Sequence, residues 1–546
     1  MILKMALFQL LNIPKSVRKV SPYISATEFE NVVNNDLLCD WLSIVLPKKI
    51  DPHPLQSLFN KGIHHEAMII EKLRKKMNLP LLKLSSLSTS REYTDLEHHS
   101  DLKMTMKAFQ KGEPIIYSPY IACEKEELRG IPDLLVRSDY MKKYFNIDIP
   151  NSKQPSIFGD FYYIPIEIKY SQLHFDKSGK TLLNINRTKI YKTQLYVYSM
   201  ILSYIQGVFS PCAFIIGKGE DSLINLGHIY FHTDDKEITK IFYNGIEWLR
   251  RVRKNAFEMD FCTDLLPNMK ISHPLYDHEK KIVAEHYGEI TEFWQCSIKH
   301  RFRLLDETND QVYSWKDPKF DISLLDISKS YVDKVNSLIK INRGEVSPIT
   351  KKISHDLYNW RVHSNEIYVD FETVGNEAEN EESTIFLIGV WYKYNDTYQY
   401  KHFTANSLSC EKEIVLAFHD FWKEIGSPKI WHWYAEKTFW NRVCKKYDLN
   451  LYIEWNDLYK VFFEGNVFVK GCKNFKLKSY VNALLSLKKI KIDLPPKDCC
   501  NGLDALFLAS EYYESKDLNI LNSILLYNEF DCKSLFVLLD FIRKEL

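Results

Sequence analysis

Two pairs of charged side chains stand out because each is set two residues apart inside an apolar run. In YYIPIEIKYS (162–171) they are Glu167 and Lys169; in EIYVDFETV (366–374) they are Asp370 and Glu372. Strand side chains alternate between faces, so each pair shares one side while isoleucine, tyrosine and valine take the other. Burying such charges costs on the order of several kcal/mol per ion unless a partner offsets it. A wet edge strand is the plain explanation. A hard divalent cation is the chemical one, because carboxylate oxygens bind Mg²⁺ or Mn²⁺. The ion then polarises a phosphoryl oxygen, and a neighbouring amine orients or helps to deprotonate the attacking water.

Further residues fall into step with each pair. About thirty residues before the first, RGIPDLLVRSD sets Asp133 at the head of an apolar strand after a Gly–Pro turn. NKGIHHEAMIIEKLRKK reads as a helix with His64, His65 and Glu66 near its first turn, and TQLYVYSMIL puts Gln194 and Tyr198 on one helical face. Near the C-terminus, SILLYNEFDCKSLFVLLDFI does the same for Tyr527 and Asp531. KIWHWYAEKTFWNRV offers Glu436 at a helix start, and EWNDLYKVFF offers Asp457 as its rival.

Taken in order, G-x-x-H-E, P-D, E-x-K and Q-x-x-x-Y resemble the PD-(D/E)XK nuclease superfamily in its RecB-like branch, which includes the CRISPR-associated adaptation exonucleases. The resemblance implies that His65, Asp133 and Glu167 are metal ligands, joined by the Ile168 carbonyl, with His64 the rival of His65. It makes Lys169 catalytic, and Gln194 and Tyr198 supports for the site and the DNA path. The strand D-x-E with a helical Y-x-x-x-D resembles the DEDD exonucleases of the RNase H-like fold, in the variety with tyrosine in the last motif. That implies two metal ions on Asp370, Glu372 and Asp531, with Tyr527 orienting the water. The family's middle motif carries an aspartate where this chain has Glu436, a departure that leaves Asp457 as a second candidate. The pairing of the two folds is similar to nucleases in which they are fused, and to the RecB-like nucleases of giant-virus defence against virophages. EFWQCSIKHRFRLL followed by YSWKDP resembles the junction of that architecture.

The elements that must position these residues alternate between strand and helix, which gives an α/β chain. GIPDLLVR, YYIPIEIKY, AFIIG and INLGHIYF read as strands around a helix at TKIYKTQLYVYSMILSYI. EIYVDFETV, FLIGVWYKY and TYQYKHF open a second set, followed by EKEIVLAFHDFWKEI and a C-terminal helix. The expected organisation is a PD-(D/E)XK restriction-endonuclease-like N-terminal domain (1–260), a mostly helical connecting region (261–360) and an RNase H-like C-terminal domain (361–546). EHYGEITEFWQCSIKHRFRLL is the clearest helical stretch of the connector.

Composition bounds the rest. At 546 residues the chain is too long for one ordinary core. The 45% hydrophobic, 26% charged and 14% aromatic content describes a soluble globular protein, and a net charge of +1 leaves nucleic-acid affinity to local basic grooves. Eleven scattered cysteines suit a reducing compartment, the cytoplasm. RecB-like relatives with an iron–sulfur cluster gather one early cysteine with a close group after the QxxxY helix. Here Cys212, Cys262 and Cys296 are 50 and 34 residues apart, so no cluster is expected and Cys39 reads as a core residue. No stretch reaches membrane-spanning length. The start, MILKMALFQLLNIPKSVRKV, faintly resembles an amphipathic presequence, but an ordered helix is the expectation.

Some features stay open between two readings. RRVRK (250–254) and KHRFR (299–303) could contact phosphates or be solvated faces. The aromatics at 431–440 could stack on bases or fill the core. Cys499-Cys500 and GKGED (217–221) read as ordinary packing and a turn after a strand. The expected function is a metal-dependent DNA nuclease, an exonuclease whose chemistry extends to endonucleolytic cutting, with its principal centre at His65, Asp133, Glu167 and Lys169. The runner-up is a nucleic-acid-binding scaffold with decayed centres. The expected partners are single- or double-stranded DNA, a helicase or a repair or defence protein, and a second copy as a homodimer.

Overall fold

The computed structural model describes residues 6–13, 21–46, 56–77, 84, 95–219, 223, 226–231, 233, 235–350, 353, 357–375 and 383–546. The chain divides into two compact units, the first made of Met1–Asp51 and Phe59–Tyr287 and the second of Pro52–Leu58 and Gly288–Leu546. The segment expected as a connector is therefore shared: its part up to Tyr287 belongs to the first unit and the remainder to the second.

Eight strands are described in the first unit: β1 (Ile24–Ser25), β2 (Ile115–Tyr117), β3 (Ile121–Cys123), β4 (Leu128–Gly130), β5 (Leu134–Arg137), β6 (Tyr163–Ile168), β7 (Cys212–Ile216) and β8 (Gly227–Tyr230). Five form the main sheet in the order β2-β5-β6-β7-β8. β2, β5 and β6 run antiparallel, β7 lies parallel to β6, and β8 returns antiparallel. The parallel pair requires a crossover, which is the Asn186–Gln206 helix, ended by Gly207 at φ +75°. All six residues of β6 are buried. A strand covered on both faces reads as a near-continuous apolar run, which explains why YIPIEI lacks a polar alternation.

The Gln56–Met77 helix packs Ile69, Ile70 and Leu73 against Leu134, Ile164, Ile166 and Phe214 of the sheet. It starts earlier than the sequence suggests, so His64, His65 and Glu66 sit more than two turns in and not at its first turn. EHYGEITEFWQCSIKHRFRLL is likewise not one helix. The Asp277–Tyr287 helix stops at Gly288, which adopts φ +72°, and a new helix, Ile298–Thr308, begins only after Ser297, whose hydroxyl and amide meet His300 Nδ1. At the start of the chain, Ala6–Leu10 is helical, with Phe8 edge-on to Trp41 at 5.2 Å.

The second unit holds β9 (Glu366–Val374), β10 (Thr384–Tyr394), β11 (Thr397–Thr404), β12 (Lys429–His432) and β13 (Trp455–Asp457) in the order β11-β10-β9-β12-β13. The first three form an antiparallel meander, and β12 and β13 add in parallel on the other side of β9. The Leu518–Glu545 helix is clamped to this sheet at its end. Arg543 grips Glu366 through Nη1–Oε1 at 2.5 Å and Nη2–Oε2 at 3.0 Å, while Tyr368 Oη and Trp431 Nε1 donate to the same carboxylate. Burial pushes the Glu366 carboxyl up, but Arg543 and these donors outweigh it and hold it below its usual range.

The basic runs are tied down by acids. Arg250 pairs with Glu126 at 2.9 Å, Arg251 with Asp264 at 2.7 Å and Arg253 with Glu28; Arg301 pairs with buried Glu289 at 3.2 Å, and Arg303 with Asp326 at 2.7 Å. Each of these arginines thus has a carboxylate partner, half-exposed for Arg251 and Arg303 and buried for Arg301. Cys39 is fully buried, with its thiol on Asp36 Oδ2 at 3.4 Å. GKGED opens on the turn after β7, with Glu220 and Asp221 outside the described residues. Among the described residues no helix is long and apolar enough to cross a membrane.

One ion pair fixes the helix that carries Gln194 and Tyr198. Lys192 is 1% exposed, and its ammonium donates to Asp235 Oδ1 at 2.6 Å and to Leu182 O and Asn184 Oδ1 at 2.7 Å. Removing one partner of such a pair strands the other charge. Lys192→Ala is expected to cost about 3–5 kcal/mol in urea unfolding, and Lys192→Met with Asp235→Leu much less. Equal losses in both variants would contradict this account.

Candidate active sites in the two units

In the first unit the strand pair forms as its spacing predicts. Glu167 is 1% exposed, and its Oε2 lies 2.5 Å from Lys169 Nζ. Across β5–β6, Asp133 Oδ2 accepts the Ile168 amide at 2.6 Å. Ile168 therefore meets Asp133 through its N–H. Burial, and then the Glu167 carboxylate, push the Asp133 carboxyl well above its usual range. Burial pulls the Lys169 ammonium down, but Glu167 and Asp133 more than reverse that, so it stays charged. A lysine held as a cation can orient water or a phosphate oxygen.

Gln194 and Tyr198 join directly, Nε2 donating to Oη at 2.8 Å, and Tyr198 Oη donates to Ile131 O at 3.3 Å beside Asp133. Gly130 leaves room for this ring, which a Cβ there would overlap. His65 is buried beside Tyr170 and bonds the Gly217 backbone; burial keeps its ring neutral, and Nε2 has no hydrogen-bond partner. Its ligand atoms do not gather with those of Asp133 and Glu167 within 4.8 Å. The residue of that helix whose charge reaches Asp133 is Glu66, which accepts from Tyr117 Oη at 2.9 Å. His64 is exposed.

The second unit gathers its acids more tightly. Among the described residues, one group of three or more metal-ligating side chains has its ligand atoms all within 4.8 Å: Asp370, Glu372 and Asp531. Asp370 and Glu372 come from one face of β9, and Asp531 from the Leu518–Glu545 helix that lies over it. Of the two middle-motif candidates, Glu436 adds its charge to Asp370 and Asp531, and His432 Nδ1 holds its Oε2 at 2.9 Å. Asp457 is engaged elsewhere, accepting the Tyr434 amide at 3.1 Å.

Three residues in this centre escaped the sequence reading. Asn528 donates to Asp370 Oδ2 at 2.8 Å and Glu372 Oε1 at 3.4 Å while accepting from Tyr400 Oη at 2.8 Å. Gly389, opposite Asp370 in β10, makes space for it, since a Cβ would overlap Asn528 Oδ1. Lys478, from the Leu477–Ser486 helix, donates to Tyr527 Oη at 2.6 Å and lies 3.7 Å from Asp531 Oδ2. Tyr527 in turn donates to Asp531. Burial, then Asp531 and Glu372, push the Tyr527 hydroxyl far up, so it acts as a neutral donor. One signal was legible: Asn528 follows Tyr527 as a second polar residue in a buried helical stretch. Lys478 in NFKLKSYV carries no local mark.

Burial and mutual repulsion raise these acids. The Asp370 carboxyl goes well above its usual range, Glu372 goes to about 8 and Asp531 to about 6. Asp531 Oδ1 is buried without a hydrogen-bond partner. Hard oxygen donors, close convergence and an orphaned carboxylate oxygen fit a divalent cation, which would be held by Asp370, Glu372 and Asp531 with Glu436 beside them.

Residues 367–543 match the sequence model of the RNase H superfamily. The C-terminal domain is RNase H-like. All the acids of the tight cluster fall inside the matched stretch. No curated protein matches the chain.

The raised carboxyls in the RNase H-like domain make stability depend on pH in a stated direction. Their folded pKa values lie above the ordinary ones, so the stabilising protons are present at low pH and lost as pH rises toward about 8. With chelator present, the melting temperature should fall between about pH 5 and about pH 8, and Mg²⁺ or Mn²⁺ should restore more of it at the higher pH. Glu372→Gln should flatten both trends. A melting temperature indifferent to cation at pH 8 would count against the site.

Proposed function

We propose that this protein is a metal-dependent nuclease hydrolysing DNA phosphodiester bonds, exonucleolytic in its main action. The carrying observation is the convergence of Asp370, Glu372 and Asp531 within 4.8 Å inside the RNase H-like match. RNase H-like nucleases work through divalent metals, and Mg²⁺ or Mn²⁺ suits these oxygen ligands. When bound, the cation supplies Lewis acidity at a phosphoryl oxygen. The chain's own residues do the rest. Asn528 fixes the Asp370 carboxylate, His432 fixes Glu436, and Tyr527, braced by Lys478, orients a water or phosphate oxygen as a neutral donor.

The first unit supports a second centre of the RecB-like PD-(D/E)XK kind. Three antiparallel strands, a crossover helix and a parallel fourth strand carry Asp133, Glu167 and Lys169 at one place in its sheet. In this reading Lys169 stays charged and stabilises charge on the phosphate, and His65 or Glu66 completes the ligand set. One observation favours a different reading for this unit, in which it grips nucleic acid without cutting: the ligand atoms of His65, Asp133 and Glu167 do not all gather within 4.8 Å of one another. DNA is the partner in both cases, with a helicase or a repair or defence protein as its supplier.

Labelled DNA incubated with the full chain, with and without chelator, tests the reading. Asp370→Ala should cut the rate at least ~100-fold at the RNase H-like centre, in the range seen when an electrostatic element of a transition state is removed. Lys478→Met should lower kcat more than it changes KM. Glu167→Ala and Lys169→Ala should remove whatever cleavage survives Asp370→Ala. Undiminished cutting in all of these variants would refute both assignments.

A further inference from the structure

The arginines of 250–254 and 299–303 each have a carboxylate partner. A lysine-rich segment of the RNase H-like domain does not. From Lys476 to Lys497 the chain carries six lysines against one acid, Asp493, although the net charge of the whole is only +1. Lys489 pairs with Glu545 at 3.0 Å, and Lys478 donates to Tyr527 and to the Cys500 carbonyl. Lys476, Lys488, Lys491 and Lys497 are exposed, and among the described residues no carboxylate lies within ion-pair distance of their ammonium groups.

The course of this segment is fixed at both ends. It leaves the Leu477–Ser486 helix, whose second residue, Lys478, lies 3.7 Å from Asp531 Oδ2. It returns to the same side chain, because the Cys500 carbonyl accepts from Lys478 Nζ at 2.9 Å. In between, Lys489 is tied to Glu545, and Asp498 accepts from Ser523 Oγ at 2.7 Å, both partners belonging to the Leu518–Glu545 helix. Ser523 and Glu545 are 22 residues apart by their numbers, which is about 33 Å along a helix. The nine steps of chain from Lys489 to Asp498 reach about 32 Å at most. Even with side-chain reach added, the segment has to run extended along the helix that carries Tyr527 and Asp531, and Pro495-Pro496 stiffens it.

Exposed lysines are ordinarily a solvated face. Two features argue for more here: the lysines crowd together without acids, and the segment begins and ends at the centre. The carboxylates of that centre repel the phosphates flanking the one being cut, so those phosphates need cations of the protein's own. We infer that Lys476, Lys488, Lys491 and Lys497 form the phosphate track of the RNase H-like centre, along which a nucleic-acid strand lies by its backbone and meets the acids at the Lys478 end. This inference rests on the reading of that centre as a nuclease. It makes the hold on substrate indifferent to sequence and steeply dependent on salt.

The test uses the full chain carrying Glu167→Ala as parent, so that cutting reports the RNase H-like centre. Lys476→Gln, Lys491→Gln and Lys497→Gln together remove three charges from exposed positions. On a single-stranded DNA oligonucleotide each lost phosphate contact takes about 0.7 from the slope of log KM against log salt, so the triple variant's slope should be shallower by about 2. Its KM should stand roughly 15-fold above the parent's at about 50 mM salt and approach it by about 200 mM, with kcat within about twofold. The matching lysine-to-arginine triple should stay near the parent throughout. Lys412→Gln with Lys423→Gln, at exposed positions of the Glu411–Glu424 helix, controls for lost charge at large. An unchanged KM and slope in the glutamine triple, or a comparable effect in the control, overturns the track while leaving the centre in place, provided that adding Asp370→Ala to the parent abolishes cutting. Cutting that survives Asp370→Ala in that background, or absent cutting in the parent, overturns the reading of the centre itself. Fluorescence anisotropy of the labelled oligonucleotide, with chelator present, then still judges the track: a Kd and salt slope equal to the parent's in the glutamine triple would overturn it.

Discussion

Like charges do not share a dry pocket willingly, and the RNase H-like domain is built to make them do so. Asp370 and Glu372 face one way because β9 is a strand. Asp531 meets them because the last helix is pinned at Arg543 by the Glu366 carboxylate and lies over the same strand. Glu436 arrives at the first turn of the helix after β12, steered by His432. Each placement works against electrostatic repulsion, and burial first, then the neighbouring carboxylates, raise the carboxyl pKa values. The only cation the described side chains bring close is Lys478, and it leans on Tyr527 as much as on Asp531.

The first unit meets the same constraint with a different balance. Lys169 stands against Glu167 at ion-pair distance, so much of the buried charge is cancelled within one strand. Asp133 spends an oxygen on the Ile168 amide. The surplus negative charge left for a cation is smaller than in the C-terminal domain.

Much of this was legible in the sequence because it depends on periodicity. A two-residue step in a strand and a four-residue step in a helix place side chains on one face whatever the rest of the chain does, so Glu167 with Lys169, Asp370 with Glu372, and Tyr527 with Asp531 could be read directly. The longer strands of both sheets were readable for the same reason, while the short β2, β12 and β13, of three or four residues each, went unnamed. What periodicity does not encode is which segments lie across from one another. Lys478 and Asn528 serve the centre through contacts across many residues of chain, and Gly389 matters only because Asn528 lies above it. The helix through His65 was recognisable, but not that the charge reaching Asp133 from it is that of Glu66. The break at Gly288 was hidden inside a stretch whose composition favours helix on both sides.

The acid cluster draws on the first strand of its domain and on its last helix, 161 residues later by the difference between Asp370 and Asp531. Bringing ends so far apart into register is slow and entropically costly. During synthesis, the acids of β9 therefore wait alone, well separated from the helix that completes them. A chain severed between β13 and the Leu518–Glu545 segment would retain all five strands of this sheet and lack Asp531. The acid cluster of this domain is thus complete only once its last helix has been made and docked.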